Sequence, residues 1–220
     1  MNPSADFSIR TLIGGYDKNL TYILTCNRTR KQIIVDASVE WKSISPYINN
    51  QPTTLIITHT HKDHIAYLKE FLVAQPNLKI IGHQISKKQF SNYDFHIVKD
   101  SQSFQIGEIN INVIYTPGHY PDSICYLMSN VLFTGDTLFV GRTGRVLSPE
   151  SNILDLYNSV YNRLLTLPKN IRIYPGHDYG EKKSITIGGN IKISPLLQAQ
   201  SFEHFKNKMK EYEQKRIPGS

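Results

Sequence analysis

Seven consecutive residues, Thr58-His59-Thr60-His61-Lys62-Asp63-His64, carry four side chains that can bind a metal ion. No structural role asks for imidazole and carboxylate at that density. The stretch follows an apolar run, Leu55-Ile56-Ile57, which reads as a buried strand. A strand that runs straight into a loop of His and Asp is how an α/β layout delivers ligands to one end of a sheet. His59 and His61, spaced i and i+2 on an extended segment, point to the same side. They can grip one ion while Asp63 and His64 turn to a second.

Three later residues sit at the same kind of place. His119 follows Tyr115-Thr116-Pro117-Gly118, Asp136 follows Leu132-Phe133-Thr134-Gly135, and His177 follows Tyr174-Pro175-Gly176. Each is preceded by a Gly, which permits a close backbone approach. Alone, any of the three reads as a turn residue. Behind the first motif they raise the set to five His and two Asp, the ligand types of Zn²⁺, Mn²⁺ and Fe²⁺. Seven donors exceed one tetrahedral ion and suit two ions about 3.5–4 Å apart that share a carboxylate. Asp36, after Ile33-Ile34-Val35, either ends a strand or holds a ligand imidazole from behind. His83, His96 and His204 read as ordinary surface or core residues.

Around these positions the pattern alternates strands and helices. Phe7 to Ile13, Leu20 to Thr25 and Gln32 to Val35 read as a strand meander with a Gly14-Gly15 turn. Glu40 to Ile48 is a helix disturbed by Pro46. Thr53 to Ile57 and Lys79 to Ile81 read as strands, and Ile65 to Leu72 has helical spacing. In the second half, Ile109, Ile111 and Val113 alternate with Asn110 and Asn112. Ser123 to Leu127 and Val131 to Thr134 form a hairpin through Ser129-Asn130. Ile153 to Leu167 is a helix, Ile171 to Tyr174 a strand, and Phe202 to Lys215 a charged helix. Strands followed by a helix, twice over, predict two stacked sheets with helices outside.

The 220 residues suit one domain, 1–220, with a short helical tail at about 195–216. The net charge of +7 favours an anionic small-molecule partner. The basic residues are scattered and lack interleaved aromatics, which argues against nucleic acid. No apolar run approaches the roughly 18 residues of a membrane span. The start, Met1-Asn2-Pro3-Ser4, has no secretory pattern, and Cys26 and Cys125 lack a disulfide framework. The expected location is the cytoplasm. Oligomeric state is not readable from these features.

Together these residues resemble the metallo-β-lactamase superfamily, whose hallmark is His-x-His-x-Asp-His followed by distant His, Asp and His. The resemblance implies an α+β fold, an αββα sandwich with metal in the groove between the sheets. It implies one ion held by His59, His61 and His119, another by Asp63, His64 and His177, and Asp136 bridging them. A carboxylate at that place speaks against a true β-lactamase. Gly135-Asp136-Thr137-Leu138-Phe139-Val140-Gly141 and Tyr174-Pro175-Gly176-His177-Asp178-Tyr179 look like glyoxalase II (hydroxyacylglutathione hydrolase) and its relatives. That branch implies hydrolysis of thioesters such as S-acylglutathione by a metal-bridging hydroxide. Two divalent ions, Zn or else Fe or Mn, serve it, and Asp63 also orients the nucleophile. Arg142, Arg145, Tyr179 and Lys182 are candidates to hold an anionic, thiol-derived substrate. A neighbouring branch, the persulfide dioxygenases, uses one Fe(II) at the positions of His59, His119 and Asp136 and acts on glutathione persulfide. The tail after His177 is short for the glutathione-binding domain of glyoxalase II and looks closer to that second branch. The loop Gly141-Arg142-Thr143-Gly144-Arg145 lacks the dioxygenase string.

Overall fold

The computed structural model describes residues 7–49 and 53–215. The first sheet holds β1 (Phe7–Gly14), β2 (Asn19–Cys26), β3 (Gln32–Val35), β4 (Thr53–Ile56), β5 (Lys79–His83) and β6 (Phe95–Val98), in that spatial order. β1, β2 and β3 pair antiparallel, and β3 to β6 pair parallel. The second half supplies β7 (Ser103–Ile106), β8 (Ile109–Tyr115), β9 (Ile124–Met128) and β10 (Val131–Gly135). A small hairpin, β11 (Leu138–Phe139) with β12 (Arg142–Thr143), leads on to β13 (Arg172–Pro175) and β14 (Ile185–Thr186). The second sheet runs β14-β13-β10-β9-β8-β7.

Both faces of each sheet are covered, so the central strands are apolar almost continuously. On β2, Tyr22 and Leu24 enter the layer between the sheets, where they meet Ile111, Val113, Tyr126 and Phe133. The alternate Ile23 turns outward with Ile34, Leu55 and Ile80 onto Phe71 of α2 (Leu68–Ala74). On the far side, Leu132 and Ile173 pack on Leu156, Val160 and Leu164, and on Phe205 and Met209. The first three belong to α3 (Ile153–Tyr157) and its π-helical continuation Asn158–Leu164. The last two lie on the C-terminal helix. The layers are therefore helix, sheet, sheet, helix: the expected αββα sandwich, of α+β class.

Two elements differ from the periodicity. The Glu40–Ile48 segment folds as one helical turn, α1 (Trp41–Ile44), and then a 3₁₀ turn, Ser45–Tyr47, where Pro46 removes the next donor. α2 starts at Leu68 and not at Ile65. Ala37 holds the preceding stretch as a turn, bonding the His64 carbonyl through its N–H and the Tyr67 N–H through its carbonyl. No helix among the described residues is long and apolar enough to cross a membrane.

Candidate metal centre

Strand direction explains why the seven residues meet. β3 and β4 are parallel, so Asp36 and the loop from His59 to His64 leave the first sheet at one end. In the second sheet, β8 and β10 flank β9 antiparallel and therefore run the same way, and β13 is parallel to β10. Their carboxyl ends deliver His119, Asp136 and His177 to the same rim. Backbone bonds join the sheets there: Ile124 N–H to the Thr58 carbonyl at 2.8 Å and Leu20 N–H to the Gly176 carbonyl at 2.7 Å. Gly118 sits at φ +128, and a Cβ on it would stand 2.1 Å from the Leu156 backbone nitrogen. Only glycine lets the chain turn there to present His119.

The donor atoms form two groups. His61 Nδ1 lies 3.1 Å from His59 Nε2 and 2.9 Å from His119 Nε2. His177 Nε2 lies 3.3 Å from His64 Nε2 and 3.2 Å from Asp63 Oδ2. Asp136 stands between the groups, 3.2 Å from His64 Nε2, 3.3 Å from His177 Nε2 and 3.5 Å from His119 Nε2.

These contacts cannot all be hydrogen bonds. Backbone carbonyls only accept, so His119 donates its Nδ1–H to the Arg145 carbonyl (2.8 Å) and His177 donates its own to the Asp17 carbonyl (2.7 Å). His64 Nδ1–H donates to Asp36 Oδ2 at 2.8 Å. Each ring thereby aims its other nitrogen inward, where it offers a lone pair once any proton on it is displaced. Asp136 Oδ1 is buried without a hydrogen-bond partner among the described residues. Inward-facing lone pairs and two carboxylates at this spacing repel unless a cation lies among them. A tetrahedral ion bonded at about 2.0–2.1 Å holds its ligands roughly 3.3 Å apart, and the donor spacings fit that value. The residues fit divalent metal.

Protonation follows the same division. Burial, with His64 nearby, keeps His59 well below the usual imidazole range. Burial and His119 bring His61 down to about 4. Burial also lowers His119, so this triad is neutral and ready to donate. Burial opposes charge on His64 and His177 too, but carboxylates overcome it. Asp136 and Asp36 raise His64, and Asp136 and Asp63 push His177 up to about 10. A cation entering the second group displaces protons from these rings.

Several supporting residues were invisible to the sequence because their partners are remote. Asn19 Nδ2 donates to Asp63 Oδ2 at 2.9 Å. The buried Asp122 accepts from Thr60 Oγ1 at 2.6 Å and from Ser86, fixing the residue between His59 and His61. Asp36, open to two readings in sequence, does both: it follows β3 and carries His64, while also accepting from Thr58 N–H and Thr58 Oγ1, each at 2.7 Å. It sits at φ 59, a conformation Asn also tolerates. Asp36→Asn will therefore keep the turn while pointing an amide donor at one of these N–H or O–H groups. Metal affinity should fall about 10–100-fold. Competition with a chromogenic chelator measures it, and unchanged affinity would remove Asp36 from the ligand support.

The sequence matches the Metallo-beta-lactamase superfamily over residues 15–177. The chain belongs to this superfamily. Among curated superfamily relatives it is similar to the probable polyketide biosynthesis zinc-dependent hydrolase BaeB of Bacillus velezensis, with 30% identity covering 86% of each chain. It is also similar to the probable hydroxyacylglutathione hydrolase glo2 of Schizosaccharomyces pombe. There the identity is 33%, covering 83% of this chain and 74% of the relative. Among solved structures, ETHE1 from Myxococcus xanthus superposes with a TM-score of 0.82 at 26% identity, covering 96% of this chain and 92% of that one.

Beside His177 lies a pocket of about 460 Å³, lined by Arg142, Tyr179, Lys182, Ile185 and Tyr212 among others. Tyr179 links it to the second donor group, stacking on His177 at 4.8 Å with its hydroxyl donating to Asp17. The buried Arg142 lays its guanidinium over the Tyr179 ring at 3.9 Å, and its Nε has no partner among the described residues. Arg145 lies elsewhere: its guanidinium is taken up by Glu213, at 2.6 Å for the shortest contact.

Proposed function

We propose that this chain is a metal-dependent hydrolase of thioesters, of the S-acylglutathione kind. His59, His61 and His119 would hold one ion, Asp63, His64 and His177 a second, and Asp136 both. The observation that carries the reading is Asp136, a carboxylate standing between two three-donor groups. Similarity to relatives named hydroxyacylglutathione hydrolase and zinc-dependent hydrolase supports the reaction class and favours zinc.

Bound there, such ions supply a water acidified toward neutrality and a Lewis acid for the carbonyl oxygen. The chain does the rest. Asp63 is the more open site carboxylate, its side chain 31% exposed against 10% for Asp136, so it meets incoming water. Asn19 pins its Oδ2 and leaves Oδ1 to orient the attacking water by a hydrogen bond. The pocket beside His177 receives the thiol portion. Arg142 and Lys182 face its anionic groups, and Tyr179 and Ile185 cover its apolar stem.

Zinc-loaded protein should release thiol from S-lactoylglutathione, lose that activity to a chelator and regain it with Zn²⁺. No thiol release by metal-replete protein overturns the proposal. About one iron per chain, with oxygen consumed in the presence of glutathione persulfide, would establish the dioxygenase reading in its place. Arg142→Ala should raise KM about 10-fold with kcat nearly unchanged, as expected for one lost charge-assisted bond made equally in ground and transition states. An unaltered KM would take Arg142 out of the substrate pocket.

A further inference from the structure

The C-terminal helix, α5 (Phe202–Gln214 once the helix Ile187–Ile193 is counted as α4), follows the last segment expected to carry a ligand. Yet it touches the loop that supports one. Met209, Tyr212 and Glu213 share a face, at helical spacings of i, i+3 and i+4. Each meets one residue of the segment after β11. Thr143 Oγ1 donates to Met209 Sδ at 3.4 Å, and Arg142 Nη1 donates to the Tyr212 hydroxyl at 3.1 Å. Arg145 donates from Nε and Nη2 to both Glu213 carboxylate oxygens, at 2.6–3.1 Å.

Arg145 matters because its carbonyl accepts the Nδ1–H of His119. Residues 144–147 have no regular secondary structure, so no ladder fixes that carbonyl. Gly144 N–H reaches the Thr137 carbonyl at 3.1 Å on one side. On the other, the Arg145 side chain is tied down by its forked pair with Glu213, beside the apolar packing of Val146. Exposed ion pairs contribute little to stability, but bidentate geometry imposes direction.

We propose that Glu213 is a positioning residue of the metal centre: through Arg145 it sets the carbonyl that orients His119, so α5 tunes the His59/His61/His119 site from outside it. The inference rests on the metal-holding part of the proposed function and not on the substrate. Glu213→Gln keeps the size and removes the charge.

The test uses the full chain and Co²⁺ as probe, reading visible absorption for coordination and chelator competition for affinity. Thermal unfolding of metal-free protein serves as the control. Glu213→Gln should weaken one of the two Co²⁺ sites about 10-fold and change its spectrum, leaving the other site and the metal-free stability nearly unchanged. The reversed pair Arg145→Glu/Glu213→Arg should restore both readouts. Met209→Ala, which loosens the same helix through its apolar contact, gives the structural comparison. The proposal is overturned if Glu213→Gln binds Co²⁺ as the wild type does. It is equally overturned if the reversed pair fails to rescue, or if the Co²⁺ loss in Glu213→Gln and Met209→Ala simply follows each variant's loss of metal-free stability. A wild-type protein that takes up no Co²⁺ would instead bring down the metal reading itself, and this inference with it.

Discussion

Asp136→Ala will lower kcat/KM for thioester cleavage by on the order of 10²–10³-fold and leave fewer metal ions per chain. The side chain is nearly buried, and it faces three imidazole nitrogens drawn from both donor groups. Removing one partner from a buried charge cluster costs about 3–5 kcal/mol, because the remaining charges lose their compensation. At about 1.4 kcal/mol per decade, that is about two to three and a half decades in affinity or rate, and the lower part of it is the loss expected here. The fold should persist, since the β10 backbone is held by β9 and β13 and not by this side chain. Atomic emission for metal content, run beside the rate, makes the test. A variant that keeps two ions and the wild-type rate would show that Asp136 bridges nothing.

Gly176→Ala should be nearly as damaging, although it removes no ligand. A Cβ at Gly176 would stand 2.3 Å from Asp136 Oδ1 and 2.6 Å from His64 Cε1. The backbone cannot retreat: Gly176 N–H bonds the Gly135 carbonyl at 2.9 Å, and its carbonyl accepts from Leu20 N–H. The ligands must move instead. Overpacking of this kind costs about 1–3 kcal/mol, and here it falls on the spacing between a carboxylate and an imidazole that would share an ion in the proposed centre. The expected result is metal affinity down by about 10–100-fold with all seven candidate ligands present. Calorimetric titration with Zn²⁺ measures it. Wild-type affinity would mean the site has more slack than these contacts imply.

The two predictions differ in how much of their basis can be read from sequence. Asp136 announces itself, a carboxylate after an apolar strand and a Gly, and the His59–His64 loop is denser still. Such signals are local, because a strand end and its ligand are neighbours in the chain. The supporting bonds are not. Asn19 lies 44 positions from Asp63, Asp122 lies 62 from Thr60, and Glu213 lies 68 from Arg145. Nothing in the composition near Asn19 or Asp122 marks them, since an Asn opening a strand is ordinary turn chemistry. The fold shows the same contrast. Strands such as β2 and β10 are apolar runs and legible, whereas β6 and β7 are short and half-exposed and carry little pattern. The α3 segment was readable as an apolar stripe, but its π-helical continuation was not, because the two helix types share nearly the same stripe over so few turns.

The candidate ligands are shared out between the two sheets, with the first sheet giving His59, His61, Asp63 and His64 and the second giving His119, Asp136 and His177. Each three-donor group draws on both sheets, so metal taken up by either acts as a rivet through one rim of the sandwich. The opposite rim is held by the apolar layer and by the surface ion pair Arg28–Glu108, at 2.8 Å. Loading will therefore stiffen the molecule asymmetrically: amides near Thr58 and Gly176 will exchange more slowly, while those near Cys26 and Gly107, at the other end of the strands, change little. A chain built this way comes apart from its unriveted edge first, and its resistance to heat becomes a gauge of the metal around it.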